Sequence, residues 1–418
     1  MKRVHALISV LLLAPGPAAG EGTLKLDLER TVALARQNSP LIRAARQRIG
    51  EARGNLTAAS VLLRSNPIAS ITYGQRDGQD GVPDQNDSEV TISQELEVGG
   101  QRRARIASAS AGVEAAEGSA ADVERTILAA VSAAFFDALL AAERLRLAEE
   151  NSNLVRELLE ISAVRVEKGA SPPLELNASR IRVALSRGQE EAARSDRTRA
   201  TVVLLTLVGL DAGSEVELES VIPAALDVPD IGTLLARARS RPDILAAQAV
   251  VRSAEANVRL ADADRVPSPI VGGTVAEDEG DTIVSGTLAI GLPLFQRNQG
   301  ERQRARAALD RSRDELAALQ IEVEREIREL FSKYSAARQI LSYYDEDVVN
   351  AMDENLALLR IMFEAGKVGY TEVALLQRER IETSLALARA RAEVATAVVG
   401  LRAAAGIPLT NDVPGGIR

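Results

Sequence analysis

The sequence has no cysteine and no tryptophan, and its one histidine is His5. Those absences exclude thiol nucleophiles and Cys/His zinc sites, and leave His5 as the one residue on which a histidine-based triad could be built. They also exclude lipid attachment to an N-terminal cysteine. Aromatic residues make up only 2% of the chain, although large aromatics dominate burial in most cores. Alanine, leucine, valine and arginine dominate instead, which suits long helices in close contact. The net charge of −9 argues against general nucleic-acid binding, which needs a basic face. No proline occurs between Pro83 and Pro172.

The first residues carry Lys2, Arg3 and His5, then an apolar run over 4–14 that is too short to span a bilayer, then Ala18, Ala19 and Gly20. Residues 1–20 are therefore expected to be a secretory signal, with the mature chain starting at Glu21 and free of imidazole. Chemistry built on Ser/Lys or on carboxylates stays formally open. However, the carboxylates fall in Glu/Arg patterns typical of solvated helix faces, which disfavours an enzyme. "GGQRRAR" is a poor match to a phosphate loop.

Residues 27–60 have helical periodicity with a break or new start at Pro40. Short β-branched segments follow at 68–74 and 90–98, around a polar loop rich in Gly, Asp and Asn. A long helix is expected from Gln101 to about Glu167, a break at "EKGASPP", and a returning helix over 174–208. The order then repeats with a period of roughly 200 residues. "TVALARQNSP" answers to "TLLARARSRP", "VERTI" to "VEREI", and "EKGASPPLEL" to "EAGKVGYTEV", which aligns Gly169 with Gly366 and Glu175 with Glu372. The repeats are expected at about 27–211 and 230–408, with strands in the second at about 270–276 and 282–294. Its long helix is expected to run on without a break.

The strand segments alternate. Val284, Leu288, Ile290, Leu292 and Leu294 fall on one face, and Ser285, Thr287, Ala289 and Gly291 on the other. Four strands are too few to close a barrel, and an open sheet edge is not viable in lipid. Three chains would supply twelve. The helices, charged and expected to lack an 18-residue apolar run, would stand in water. A soluble periplasmic coiled-coil scaffold or adaptor would share the signal and the helices but not the paired strands.

Two joins sharpen the reading: "ISQELEVGGQRRAR" at 92–105 and "LPLFQRNQGERQRA" at 292–305. With the duplication, they resemble the TolC family of outer-membrane efflux ducts, in the CzcC-like branch serving cobalt–zinc–cadmium or copper–silver resistance. The resemblance implies a mainly α fold with a small β part: internally duplicated, very long helical hairpins forming a periplasmic tunnel, and four strands per chain in a 12-stranded trimeric outer-membrane barrel. It implies a homotrimer in outer-membrane lipid, a periplasmic adaptor, an inner-membrane RND pump, no cofactor, no metal site and no nucleic acid. A drug or other small-molecule duct would have the same fold.

The two breaks would then be hairpin tips at the periplasmic entrance. In the family's best-known member a "VDVLD"-type stretch just after the second tip places two carboxylates at the entrance. Glu372 falls on the first, while Leu375 occupies the second, so only Glu372 carries over as an entrance residue. Glu175 joins it through the internal repeat. A three-fold ring of such residues would favour cations. Arg165, Gly169, Arg180, Gly366, Lys367 and Arg378 are candidates for adaptor docking. Gly99, Gly100, Pro293, Phe295 and Gly300 are candidates for the barrel–helix junctions, with Pro293 ending the ladder, Phe295 at the membrane interface and Gly300 turning the backbone.

Overall fold

The computed structural model describes residues 24–76, 85–223, 226–278, 281–344 and 346–408. The expected signal at 1–20 lies outside them. The first half of the chain runs β1 (Leu24–Leu26), α1 (Leu28–Asn38), α2 (Pro40–Ser60), β2 (Ile68–Arg76), β3 (Gln85–Glu95), α3 (Gln101–Glu167) and α4 (Pro173–Val208). The second half runs β4 (Val216–Leu218), α5 (Ile231–Ala238), α6 (Pro242–Ala263), β5 (Ile270–Asp278), β6 (Asp281–Ala289), α7 (Gln299–Leu341), α8 (Glu346–Glu364) and α9 (Tyr370–Ala404).

The punctuation of the two halves is the same. The Asp27 carboxylate accepts from Arg30 N at 2.7 Å and the Asp230 carboxylate from Thr233 N at 3.1 Å, capping α1 and α5. Pro40 and Pro242 open α2 and α6, where a missing N–H costs nothing. Four helix ends close on glycines with positive φ, Gly169, Gly209, Gly366 and Gly406. After each, the next N–H reaches back five residues: Ala170 to Arg165, Leu210 to Leu205, Lys367 to Met362 and Ile407 to Arg402, at 2.8–2.9 Å. Glycine is used because the left-handed conformation has no side-chain penalty there.

The long helices differ between halves. α3 is unbroken over 67 residues, about 100 Å at 1.5 Å per residue. The expected uninterrupted partner is instead two helices. α7 ends at Leu341, and Tyr343 N and Tyr344 N bond the carbonyls of Ile340 and Leu341, three residues back, tightening the last turn. No proline marks this break, which is why the sequence pattern runs through it.

The expectation about apolar runs also fails in α3. That helix holds an 18-residue window apolar enough, by length and composition, to cross a membrane, but half of it is buried inside the molecule. Phe135 and Phe136 are fully buried there, edge to face at 6.0 Å, in a core shared with α1, α5, α7 and the end of α9. Burial among its own helices uses that stretch as core.

The β part is a four-stranded antiparallel sheet, β2–β3–β5–β6, and a small parallel pair, β1–β4, that sequence reading missed. β3 starts at Gln85 and stops at Glu95, and β6 stops at Ala289, five residues before Leu294. Registers across the sheet align one row of Ile71, Val90, Val275 and Val284. The adjacent row, on the opposite face, is Ser70, Thr91, Thr274 and Ser285, with the two threonine hydroxyls 2.8 Å apart. The valine row and Ile71 are 45–79% exposed. One face is thus apolar and open, the other hydroxyl-lined, and β2 and β6 are bare edges.

Candidate functional site

Two regions hold the candidate residues: the joins between sheet and helix, and the hairpin tips at the far end.

At the first join the backbone turns at Gly100, φ +85°. A side chain on Gly99 would stand 2.8 Å from Ala263 O and from Val266 Cβ, so the approach of the α6 end requires glycine there. Gln101, 2% exposed, knits this corner together. Its Oε1 accepts from Gly99 N at 2.7 Å, and its Nε2 donates to Ala263 O and Val266 O at 3.3 and 3.2 Å. Arg102 donates to Ser60 O at 2.7 Å and Val61 O at 3.2 Å, and Arg105 to Ala59 O at 3.3 Å. The basic run of "GGQRRAR" therefore caps the C-terminal carbonyls of α2, where positive charge is favourable.

The second join reproduces this with different residues. The backbone turns at Asn298, φ +56°, the one positive-φ residue other than glycine among the described residues. Gln299 Oε1 accepts from Arg297 N at 2.8 Å, as Gln101 does from Gly99. Asn298 Nδ2 donates to Ala261 O at 2.8 Å, and Arg302 Nε to Asp262 at 2.5 Å. Gly300 already lies inside α7, with open space around it, so the turning role expected of Gly300 belongs to Asn298. Pro293 likewise does not end a ladder, which has stopped at Ala289, where Gly291 and Pro293 suit no strand. Phe295 is 89% exposed. The shared signal is a left-handed residue followed by glutamine, and asparagine is the non-glycine residue that tolerates this conformation.

At the tips the structure separates the two carboxylates. Glu372 lies in the first turn of α9, exposed, its carboxylate folded back over Gly369. Glu175 lies in the first turn of α4 with its side chain only 12% exposed, 3.8 Å from the Arg165 guanidinium. Glu175 thus faces a cation inside the tip rather than an open entrance, a position the internal repeat alone did not reveal.

Arg165 is also not a free docking residue. Its Nη1 donates to Phe363 O at 3.1 Å and Val368 O at 3.4 Å, and its guanidinium lies over the Phe363 ring, 4.7 Å from the centroid. It ties the first tip to the second. Around it Leu158, Phe363, Tyr370 and Val373 form a separate apolar cluster. Burial pushes the Tyr370 phenol above its ordinary range, partly offset by the nearby Arg182. Further from the tip, Gln377 donates to Asn151 Oδ1 at 2.5 Å, and Arg380 pairs with Glu150 at 2.8 Å and with Asp353. Sequence reading missed Gln377 and Arg380, because polar residues at helical spacing look the same on a solvated face and at a helix seam. Gly169 and Gly366 are the turn residues described above. Arg180, Lys367 and Arg378 are exposed, Arg378 alongside Glu382 at 3.1 Å. No group of three or more metal-ligating side chains stands together among the described residues.

A family model for the outer membrane efflux protein matches residues 31–210 and 234–407, one stretch in each half. The chain is 26% identical over 372 residues to the cobalt-zinc-cadmium resistance protein CzcC of Cupriavidus metallidurans, covering 88% of this chain and 86% of that one. It is 26% identical to the pyoverdine export outer membrane protein OpmQ of Pseudomonas putida, over 69% of this chain and 66% of that one. Among solved structures it superposes on CusC with a TM-score of 0.77 at 19% identity, covering 95% of this chain and 96% of that chain.

Proposed function

We propose, from the premise that this chain belongs to the outer membrane efflux protein family, that it exports heavy-metal cations as the passive outer-membrane duct of a three-part system. Efflux across the outer membrane is the property of the family. The cargo, the entrance chemistry and the identity of the other two components are our reading. It is supported most by similarity to a cobalt–zinc–cadmium resistance protein across 88% of the chain.

The two-faced sheet suits that work. Its apolar row faces lipid and its hydroxyl row faces water, once three copies pair their bare edges into twelve strands. Below it, α3 carries the conduit about 100 Å into the periplasm. A periplasmic adaptor and a proton-driven inner-membrane pump of the RND type supply capture and energy; this chain conducts and carries out no catalytic step. Glu372 from three copies sets a negative mouth that concentrates cations.

Deleting the gene and exposing the strain to cobalt, zinc, cadmium, copper and silver salts tests the cargo. Increased sensitivity to at least one ion, restored by the wild-type gene, is expected. Unaltered sensitivity to all five ends the metal reading. Similarity to a pyoverdine exporter supports a second reading, export of an organic compound, which predicts instead an accumulated periplasmic siderophore-like product in that deletion strain.

A further inference from the structure

The sheet is short for the membrane it would cross. β5 and β6 have nine residues each. That is about 30 Å along the strand and about 21 Å of depth at a tilt of about 45°, against an apolar band about 25 Å tall in outer-membrane barrels. At the end farthest from the helices, residues 76–89 and 277–281 are rich in aspartate and glutamate, with Arg76 as their only base. The apolar part of the sheet is shorter still, so the missing depth has to come from the joins. All four joins have one make-up, an exposed aliphatic side chain and, within five residues, an exposed arginine. Leu62 and Arg64 stand between α2 and β2, and Val98 and Arg103 where β3 passes to α3. Arg265 and Val266 stand between α6 and β5, and Leu292 and Arg297 between β6 and α7. None of these four arginines is within ion-pair distance of a carboxylate among the described residues, whereas Arg105, Arg302 and Arg304 in the same corners are. After β6 the ladder stops at Ala289, yet Ile290, Leu292, Leu294 and Phe295 are 52–89% exposed. Water-facing surfaces rarely gather so much apolar area. Phe295 is the one aromatic residue of the four joins, so arginine stands where a barrel ordinarily carries an aromatic girdle.

We propose that the four joins bind anionic glycerophospholipids of the periplasm-facing leaflet, with their aliphatic residues among the acyl chains and Arg64, Arg103, Arg265 and Arg297 on the phosphates. This rests on the duct reading and gives the duct a lipid preference. The exposed side chains after Ala289 continue the open apolar face of the sheet, so they meet the same solvent as that face. An arginine just beyond an apolar side chain matches a phosphate just beyond an acyl chain. The guanidinium fork also holds two phosphate oxygens at once. The acidic far end of the sheet repels the same headgroups, which confines the preference to one leaflet.

Because the chain has no tryptophan, single tryptophans report on this boundary without background. Phe295→Trp marks a join and Val284→Trp the open face of the sheet. Ile321→Trp marks an exposed site on α7, about 33 Å along the helix from Gln299. Each full-length variant is reconstituted in vesicles of equal parts phosphatidylcholine and phosphatidylglycerol, with bromine on the acyl chains of one lipid or the other. Val284→Trp and Phe295→Trp are expected to be quenched, and Ile321→Trp to be unaffected. Quenching of Phe295→Trp should report phosphatidylglycerol enriched about fivefold over phosphatidylcholine, the effect of one arginine at an anionic surface. Glutamine at the four arginines should bring the two quenchers level, and so should high salt on the unsubstituted arginines. Equal quenching of Phe295→Trp by both lipids at low salt, or a preference that survives both treatments, overturns the headgroup assignment. Phe295→Trp left unquenched beside a quenched Val284→Trp overturns the placement of the joins in lipid. Val284→Trp left unquenched overturns the duct reading itself.

Discussion

The tips of the two hairpins share a backbone and differ in chemistry. Each ends its descending helix on a left-handed glycine with the same five-residue return bond, and each opens its rising helix with a glutamate in the first turn. In the first tip that glutamate is turned inward to Arg165, whereas in the second Glu372 is exposed beside a buried Phe363 and Tyr370. The first tip is a clamp and the second carries the free charge. Duplication preserved what the turn needs and released what the turn does not need. An internal repeat therefore transfers conformation between halves more safely than it transfers function.

The largest expected effect comes from breaking the clamp. Arg165→Ala leaves Glu175, 12% exposed, without its cation and removes a donor from Val368 O and Phe363 O, the latter keeping Gly366 N–H at 3.0 Å, at a cost of about 3 kcal/mol. Protease cleavage within the second tip, measured on the folded trimer, should accelerate strongly, while Arg378→Ala should leave it unaltered. Equal rates for the two variants would remove the clamp from the comparison. Next come the joins. Gly99→Ala forces the end of α6 away and is expected to cost about 2 kcal/mol. Gly300→Ala, inside a helix with space around it, should be neutral or stabilising by about 0.5 kcal/mol. Thermal dissociation of the trimer reads both, and a Gly300→Ala defect as large as that of Gly99→Ala would restore the turn to Gly300.

A smaller effect sharpens what the tips share. Gly169→Ala and Gly366→Ala should each cost about 1 kcal/mol, since both glycines have positive φ and open surroundings. Denaturant unfolding should rank them together; a difference above about 1 kcal/mol would mean that the two turns are not equivalent. The smallest effect on stability falls on Glu372. Glu372→Gln should leave dissociation temperature alone and lower single-channel selectivity for cations, whereas Glu175→Gln should leave selectivity unaltered. Selectivity that follows Glu175, or neither residue, would displace the charge from the second tip.

Much of this architecture was legible in the sequence because its signals are local. Pro40, the strand alternation and the two matched breaks each act within a few residues, and each falls where the chain turns or pairs. What was illegible depends on neighbours. The end of β6 is set by Gly291 and Pro293 acting together, although the alternation of Ile290, Leu292 and Leu294 continues past them. The break after Leu341 has no proline or glycine to announce it. Glu175 and Glu372 align residue for residue, and only the packing of Arg165 between the tips tells them apart. Gln101 was passed over because a glutamine after a glycine carries no general signal. Its meaning emerges only when Gln299 repeats it after Asn298.

The unbroken α3 and its divided counterpart also differ as mechanical parts. A rod of 67 residues stiffened along its length by α2, α4, α6 and α9 carries a load from sheet to tip as a whole. The α7–α8 line is interrupted after Leu341, and its tipward part is carried by the unbroken α9 and, through Arg360 on Glu157 at 2.5 Å, by α3. Each copy thus pairs a continuous rod with a spliced one, whose splice α9 spans.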